Sequence, residues 1–142
     1  MTQDTQEIVR RFYGEVMCDG NIAALDQLAT DDYEEHDPFP GQGEGLSGLK
    51  TRTVMIRDGL APHFEVQDVV HEGDKLVVRW INSGTHVGEF AGIPPTNKKF
   101  SIAGVDLFRL RDGKLAEHWH VVDQLTMLQQ LGLIPSPEGA DA

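Results

Sequence analysis

The stretch Phe100–Asp123, FSIAGVDLFRLRDGKLAEHWHVVD, decides how the rest of the chain is read. Asp112-Gly113 stands between two runs of strand-like composition, and Asp-Gly is a strong signal for a two-residue hairpin turn. Counting outward from that turn sets Arg111 opposite Lys114, Leu110 opposite Leu115, Phe108 opposite Glu117, Asp106 opposite Trp119 and Ile102 opposite Asp123. Side chains alternate between the faces of a sheet. One face then carries Phe100, Ile102, Phe108, Leu110, Leu115, Trp119 and Val121, with Asp106, Glu117 and Asp123 among them. The other carries Ala103, Val105, Leu107, Arg109, Ala116, His118, His120 and Val122. A bulge between Trp119 and Asp123 would move Asp123 to the histidine face. Carboxylates set in an apolar face need partners or raised pKa values, and a raised pKa is what a general acid/base requires near neutral pH.

Working outward, Lys75–Ser83 and His63–His71 read as two more strands joined at Glu72-Gly73-Asp74. In the second of these, Phe64, Val66, Asp68 and Val70 alternate with Glu65, Gln67 and Val69. Upstream, Ile8, Val9, Phe12, Tyr13, Val16 and Met17 fall at helical spacing within Thr5–Cys18. A short helix follows over Ile22–Leu28, then an extended segment and proline-bounded loop over Thr30–Pro40. A third helix is expected over Leu49–Asp58, capped by Ser47, with Val54 and Met55 inward. Gln124–Leu131 reads as a last short helix stopped by Gly132. Three N-terminal helices followed by a run of antiparallel strands is an α+β pattern. A cone-shaped, curled antiparallel sheet with those helices over its concave face would enclose a cavity, the natural place for a ligand.

The chain has 142 residues, enough for one domain with a real core, expected over residues 1–135 with a frayed tail over 136–142. A formal net charge of -11 argues against nucleic acid or an anionic membrane surface as partners. The single cysteine, Cys18, leaves no internal disulfide to form, and MTQDTQEIVRRF lacks the apolar run of a signal peptide. A cytoplasmic location is the expectation.

Several motifs together resemble the SnoaL-like polyketide cyclases of the nuclear-transport-factor-2-like superfamily. They are Tyr33-x-x-His36, the run Gly84-Thr85-His86 through Gly92-Ile93-Pro94-Pro95-Thr96, Asp112-Gly113-Lys114, Glu117-His118-Trp119 with Asp123 beyond, and Gln130-Leu131-Gly132-Leu133 with Pro135. The resemblance spans Gln6 to Pro135 and implies the cone-shaped α+β fold. It also implies a cofactor-free intramolecular aldol-type ring closure of a polyketide ester. Its general acid/base, an aspartate at the end of the last long strand, falls on Asp123. The substrate would be a small apolar or aromatic carbonyl compound. A related isomerase, dehydratase or epoxide hydrolase, or a module that only binds a ligand, shares the fold. The hydrolase is disfavoured because Arg79 is followed at the diagnostic spacing by Ile81 and not by a carboxylate.

The candidate catalytic residues are thus Asp123 and His120. Asp123 can instead cap the helix beginning at Gln124, and His120 can orient Asp123, polarise a substrate carbonyl or simply pack. Candidate substrate-binding residues are Tyr13, His36, Arg79, His86, Asp106, His118 and Trp119, with Tyr13 and Trp119 as stacking surfaces for a flat ligand. Asp106 can be a pocket group or a structural partner of the Trp119 indole. Arg79, if inward, needs a carboxylate such as Asp123 or Glu117. His118 and His120 are two apart, a spacing open to zinc, but a third ligand would have to come from His36 or His86; no metal and no cofactor are expected. A homodimer or homotetramer formed through the exposed sheet face is expected.

Overall fold

The computed structural model describes residues 3–137, so the part of the expected tail beyond Pro137 lies outside the described residues. Helix α1, Gln3–Val9, runs on through Arg10–Cys18 in the wider winding of a π-helix. Ile8, Val9, Phe12, Tyr13, Val16 and Met17 are all buried, as their spacing predicts. Burying each such side chain contributes about 1.5–3 kcal/mol. A 3₁₀ turn at Ile22–Ala24 leads into α2, Leu25–Leu28. Strand β1 is Ala29–Glu35, and helix α3 is Gly45–Leu60. Strands β2 (His63–Glu72), β3 (Lys75–Thr85), β4 (Lys99–Arg111) and β5 (Lys114–Val122) form an antiparallel meander, and α4, Gln124–Gln130, closes the order. The sheet order is β1-β5-β4-β3-β2, with β1 parallel to β5 at one edge. This is the expected α+β architecture, a curled and unclosed sheet with helices over its inner face. Among the described residues, no helix is long and apolar enough to cross a membrane.

Three local details depart from the sequence reading, and each repositions functional side chains. The hairpin keeps the pairs Arg111–Lys114 and Leu110–Leu115, but a bulge at Ala116 then shifts the register by one residue. Leu115 and Ala116 are consecutive and both buried, so the strand turns over there. Beyond it Arg109 pairs with Glu117, Phe108 with His118 and Asp106 with His120. His118 and His120 therefore share the inner face with Asp106, while Glu117, Trp119 and Val121 face outward.

A second bulge, between Val66 and Asp68, turns Val69 inward and leaves Val70 59% exposed. Third, α3 starts at Gly45, ahead of Ser47, and rests a different stripe on the sheet. Leu49, Arg52, Thr53, Ile56 and Leu60 are buried, whereas Val54 is 42% exposed.

Two glycines permit the close approaches that shape the interior. A Cβ at Gly84 would lie 2.2 Å from the carbonyl oxygen of Leu60, so only glycine lets β3 pass under the end of α3. A Cβ at Gly104 would lie 2.3 Å from the Trp80 ring, so Gly104 is the floor on which that indole lies.

Candidate active site

Between α1, α3 and the inner face of the sheet lies a cavity of about 90 Å³. Phe12, Tyr13, Phe39, Ile56, Phe64, Trp80 and Ile102 make most of its wall apolar, and Tyr33, Arg52, Asn82, Asp106, His118 and His120 supply its polar groups. The burial of charged groups here is explained by a chain of mutual contacts. Asp106 Oδ1 lies 2.7 Å from His118 Nε2, and Oδ2 accepts from Trp80 Nε1 at 2.8 Å and from the Tyr13 hydroxyl. His118 Nδ1 lies 2.8 Å from both carboxylate oxygens of Glu35. Glu35 in turn stands 3.5 Å from Arg52 Nη1. Two carboxylates and two cations therefore balance one another out of water, the condition under which buried charges are tolerated.

The titration behaviour follows from these contacts. Burial alone would push the His118 imidazole down, but hydrogen bonds and charge from Asp106 and Glu35 outweigh it and raise the group to about 9. His118 is an imidazolium whose two N–H groups are both committed to carboxylates, so neither is free for a substrate. Burial would raise Asp106, yet His118, Tyr13 and Trp80 hold it below the usual carboxylate value. The same opposition, with His118 and Arg52 winning over burial, lowers Glu35. His120 differs. Burial depresses it, and the positive charges of Arg52 and His118 depress it further.

His120 is consequently a neutral imidazole facing the cavity. Arg52 Nη2 sits 3.3 Å from its Nδ1 and 3.4 Å from its Nε2. A point nearly equidistant from both ring nitrogens lies along neither in-plane lone pair, and misaligned hydrogen bonds weaken steeply. The imidazole therefore keeps its lone pair beside a fixed positive charge. Arg52 is held by the Asp37 carbonyl and Gln42 Oε1, each at 3.1 Å, and lies over the Phe39 ring at 4.0 Å. The backbone N–H of His120 donates to Asp37 Oδ2 at 2.8 Å, which fixes the strand at this point. Two buried oxygens on the wall, the Tyr33 hydroxyl and Asn82 Oδ1, have no hydrogen-bond partner among the described residues. Burial raises the Tyr33 pKa well above its usual value, so it stays a neutral donor.

Of the residues singled out in the sequence, Tyr13, Asp106, His118 and His120 meet in this cavity. Asp123 does not. It is exposed, caps α4 by accepting from the Thr126 N–H at 3.1 Å and hydroxyl at 2.7 Å, and is lowered in pKa by those bonds. A carboxylate kept ionised in water lacks the desolvation that would make it a proton shuttle, which removes the basis for reading it as the acid/base. Trp119 lies on the outer face, stacked on His36 at 4.3 Å, and His36 Nε2 is 3.0 Å from Glu117. Trp80, not Trp119, is the partner of Asp106. Arg79 also points outward and pairs with Asp68. His86 is buried, but beside an adjoining chamber.

Sequence reasoning passed over Glu35, Arg52 and Asn82. Arg52 was detectable in principle as a charge on the Leu49–Thr53–Ile56 stripe, and Glu35 as the residue two beyond Tyr33 on one strand face. Glu35, His118 and His120 could bring ligand atoms to a common point. The Arg52 guanidinium already occupies that neighbourhood with positive charge, and His118 has both nitrogens committed, so the donor set does not suit a cation.

Comparison with known proteins agrees with this fold. Aklanonic acid methyl ester cyclase of Streptomyces peucetius is 35% identical over 108 residues, 74% of this chain and 72% of its own. The enzyme of the same name from Streptomyces sp. (strain C5) is 42% identical over 108 residues, 74% of this chain and 65% of its own. The structure of TsrD from Streptomyces laurentii superposes with a TM-score of 0.86 at 28% identity, covering 94% of this chain and 99% of that one. The family model for SnoaL-like polyketide cyclase matches residues 7–131, and the chain belongs to that family.

Proposed function

We propose that this chain closes a ring by intramolecular aldol-type addition within a polyketide-like ester, with His120 as the general acid/base. The observation that carries the reading is a neutral imidazole held in an apolar cavity beside a guanidinium. The substrate class is the methyl ester of a polycyclic aromatic acid, in keeping with the compound named for the two relatives. A carbon acid next to carbonyl groups and a conjugated ring system is acidic enough for an imidazole to deprotonate. His120 takes that proton, and the enolate charge spreads over the substrate, facing Arg52. The enolate carbon bonds to a ketone carbon, whose oxygen becomes an alkoxide, and His120 returns the proton to it. Product and substrate are isomers, so no cofactor or co-reactant enters the balance. The Tyr33 hydroxyl is placed to donate to the carbonyl that gains charge. Asp106 and Glu35 hold His118 as a charged, fixed part of the wall, and burial with the positive charges of Arg52 and His118 keeps His120 neutral.

The protein is proposed to work in the cytoplasm as a homo-oligomer. Its single cysteine is a free thiol, and the outer sheet face presents Val105 and Val121, 75% exposed in the latter case, for a second copy to cover.

The test is conversion of aklanonic acid methyl ester by the purified protein, followed by chromatography. His120→Asn should bind the ester and lose turnover by about 10²-fold or more, the scale of a positioned acid/base. Unchanged turnover in that variant removes His120 from the mechanism.

A further inference from the structure

The cavity of about 90 Å³ is smaller than the 150 Å³ apolar void that accepts a single benzene ring. A polycyclic ester must extend beyond it. The adjoining space is a chamber of about 230 Å³ between α4 and the loop that follows β3, and Phe90, Gln124 and Met127 line both spaces. Its wall is otherwise apolar, with Ile93, Leu128 and Leu131, apart from one imidazole, His86.

His86 is only 1% exposed. The backbone N–H of Thr96 donates to its Nδ1 at 3.2 Å, and the Thr96 hydroxyl lies 3.2 Å from the same atom. Nδ1 therefore carries no proton, and the ring N–H is on Nε2. That Nε2 is buried and has no hydrogen-bond partner among the described residues. The ring cannot turn away without losing Thr96, and its backbone is pinned on both sides, His86 N to Lys98 O and Asn97 N to His86 O, each at 2.9 Å. A buried donor left empty is costly, and its place on the wall of an apolar chamber is the arrangement of a specificity contact.

We infer that this chamber is a second binding subsite, in which His86 Nε2–H donates to a neutral carbonyl oxygen on a side arm of the substrate whose reacting end enters the main cavity and whose ring system extends beyond it. A neutral acceptor is specified because the chamber offers no lysine or arginine to hold a carboxylate. The inference rests on the ring-closing reading above, and the arm it selects is an ester or ketone.

Three probes separate the questions by quenching of tryptophan fluorescence, since Trp80 lines the main cavity. They are an armless dihydroxyanthraquinone, the same ring with a methyl ester arm, and the same ring with a hydrocarbon arm of equal length. The wild-type protein should bind the ester probe about tenfold more tightly than the hydrocarbon probe, the scale of one hydrogen bond to a buried donor. His86→Phe should abolish the preference, and His86→Gln, whose amide N–H reaches a similar position, should restore much of it. Equal binding of the two arms by the wild type, or a preference that survives His86→Phe, overturns the subsite. If His86→Phe does not fold, Leu128→Trp, which fills the chamber, should erase the gain from either arm while the armless ring binds as before; a retained gain overturns the subsite. Failure of the armless ring to bind overturns the ring-closing reading and this subsite with it.

Discussion

His118 Nε2 and Asp106 Oδ1 lie 2.7 Å apart although the two residues are not cross-strand partners, because His118 pairs with Phe108 and Asp106 with His120. The contact is a diagonal one across the inner face, and it exists because the bulge at Ala116 turns His118 inward. Its consequence is a pH-dependent fold. His118 titrates at about 9 in the folded chain against 6.5 in an ordinary environment. A raised pKa stabilises the fold fully below pH 6.5, and that contribution, on the order of 3 kcal/mol, is lost as pH rises through about 9. Thermal unfolding followed between pH 6 and 10 should show Tm falling across that interval. A flat Tm there would refute the buried imidazolium.

Arg52 and His120 make the second prediction. The guanidinium helps burial depress the imidazole, so His120, the proposed base, begins to take up its proton only at a pH lower than the ordinary value of 6.5. The rate of the wild-type protein should therefore level off on the alkaline side of a limb that lies below pH 6.5. Arg52→Met removes the charge and keeps a long unbranched side chain at the position, so the limb should move to higher pH. The variant should also lose rate on the plateau, because the enolate no longer faces a cation. A profile whose limb stays in place would separate Arg52 from the titration of His120.

Asp123 should behave as a helix cap and nothing more. Asp123→Ala removes an acceptor for the Thr126 N–H and hydroxyl and should cost about 1 kcal/mol in urea unfolding, while Asp123→Asn should be close to neutral. Both variants should turn over substrate at the wild-type rate per folded molecule. A hundredfold loss in Asp123→Asn would return this carboxylate to the mechanism.

What the sequence disclosed and what it withheld divide along a physical line. Periodicity found α1 and the four strands of the meander, since a buried helix face and a half-buried strand each impose their own spacing on apolar residues, whereas β1 showed only as a short extended segment. The same alternation placed Phe100, Ile102, Asp106 and Phe108 on the inner face of β4 correctly. It failed on β5 because a bulge costs one residue and leaves no mark in composition; Ala116 looks like any other small strand residue. That single shift exchanged His118 and His120 for Trp119, sent Glu117 outward and made Asp123 seem part of an interior face. On α3 the sequence reading chose the hydrophobic pair Val54 and Met55, whereas the buried stripe includes Arg52, a charge that becomes tolerable only once Glu35 arrives from β1. Such pairings join residues distant in the chain and have no local signature.

Gly104 supplies a final prediction, because its missing side chain positions a charge. The Trp80 indole lies where a Cβ on residue 104 would be, and from there Nε1 donates to Asp106 at 2.8 Å. Gly104→Ala must push a rigid ring by more than 1 Å of overlap, and the ring cannot move without weakening its bond to a buried carboxylate. The expected cost is about 2 kcal/mol or more in urea unfolding, since overpacking and a weakened charged hydrogen bond each contribute at that scale. In a Trp80→Leu background the obstacle is gone, so the same Gly104→Ala change should cost only a small fraction of that. The double-mutant cycle isolates the coupling between the two positions. Additive costs would mean that Gly104 matters for some reason other than the indole above it, and Asp106 would then owe its placement to His118 and Tyr13 alone.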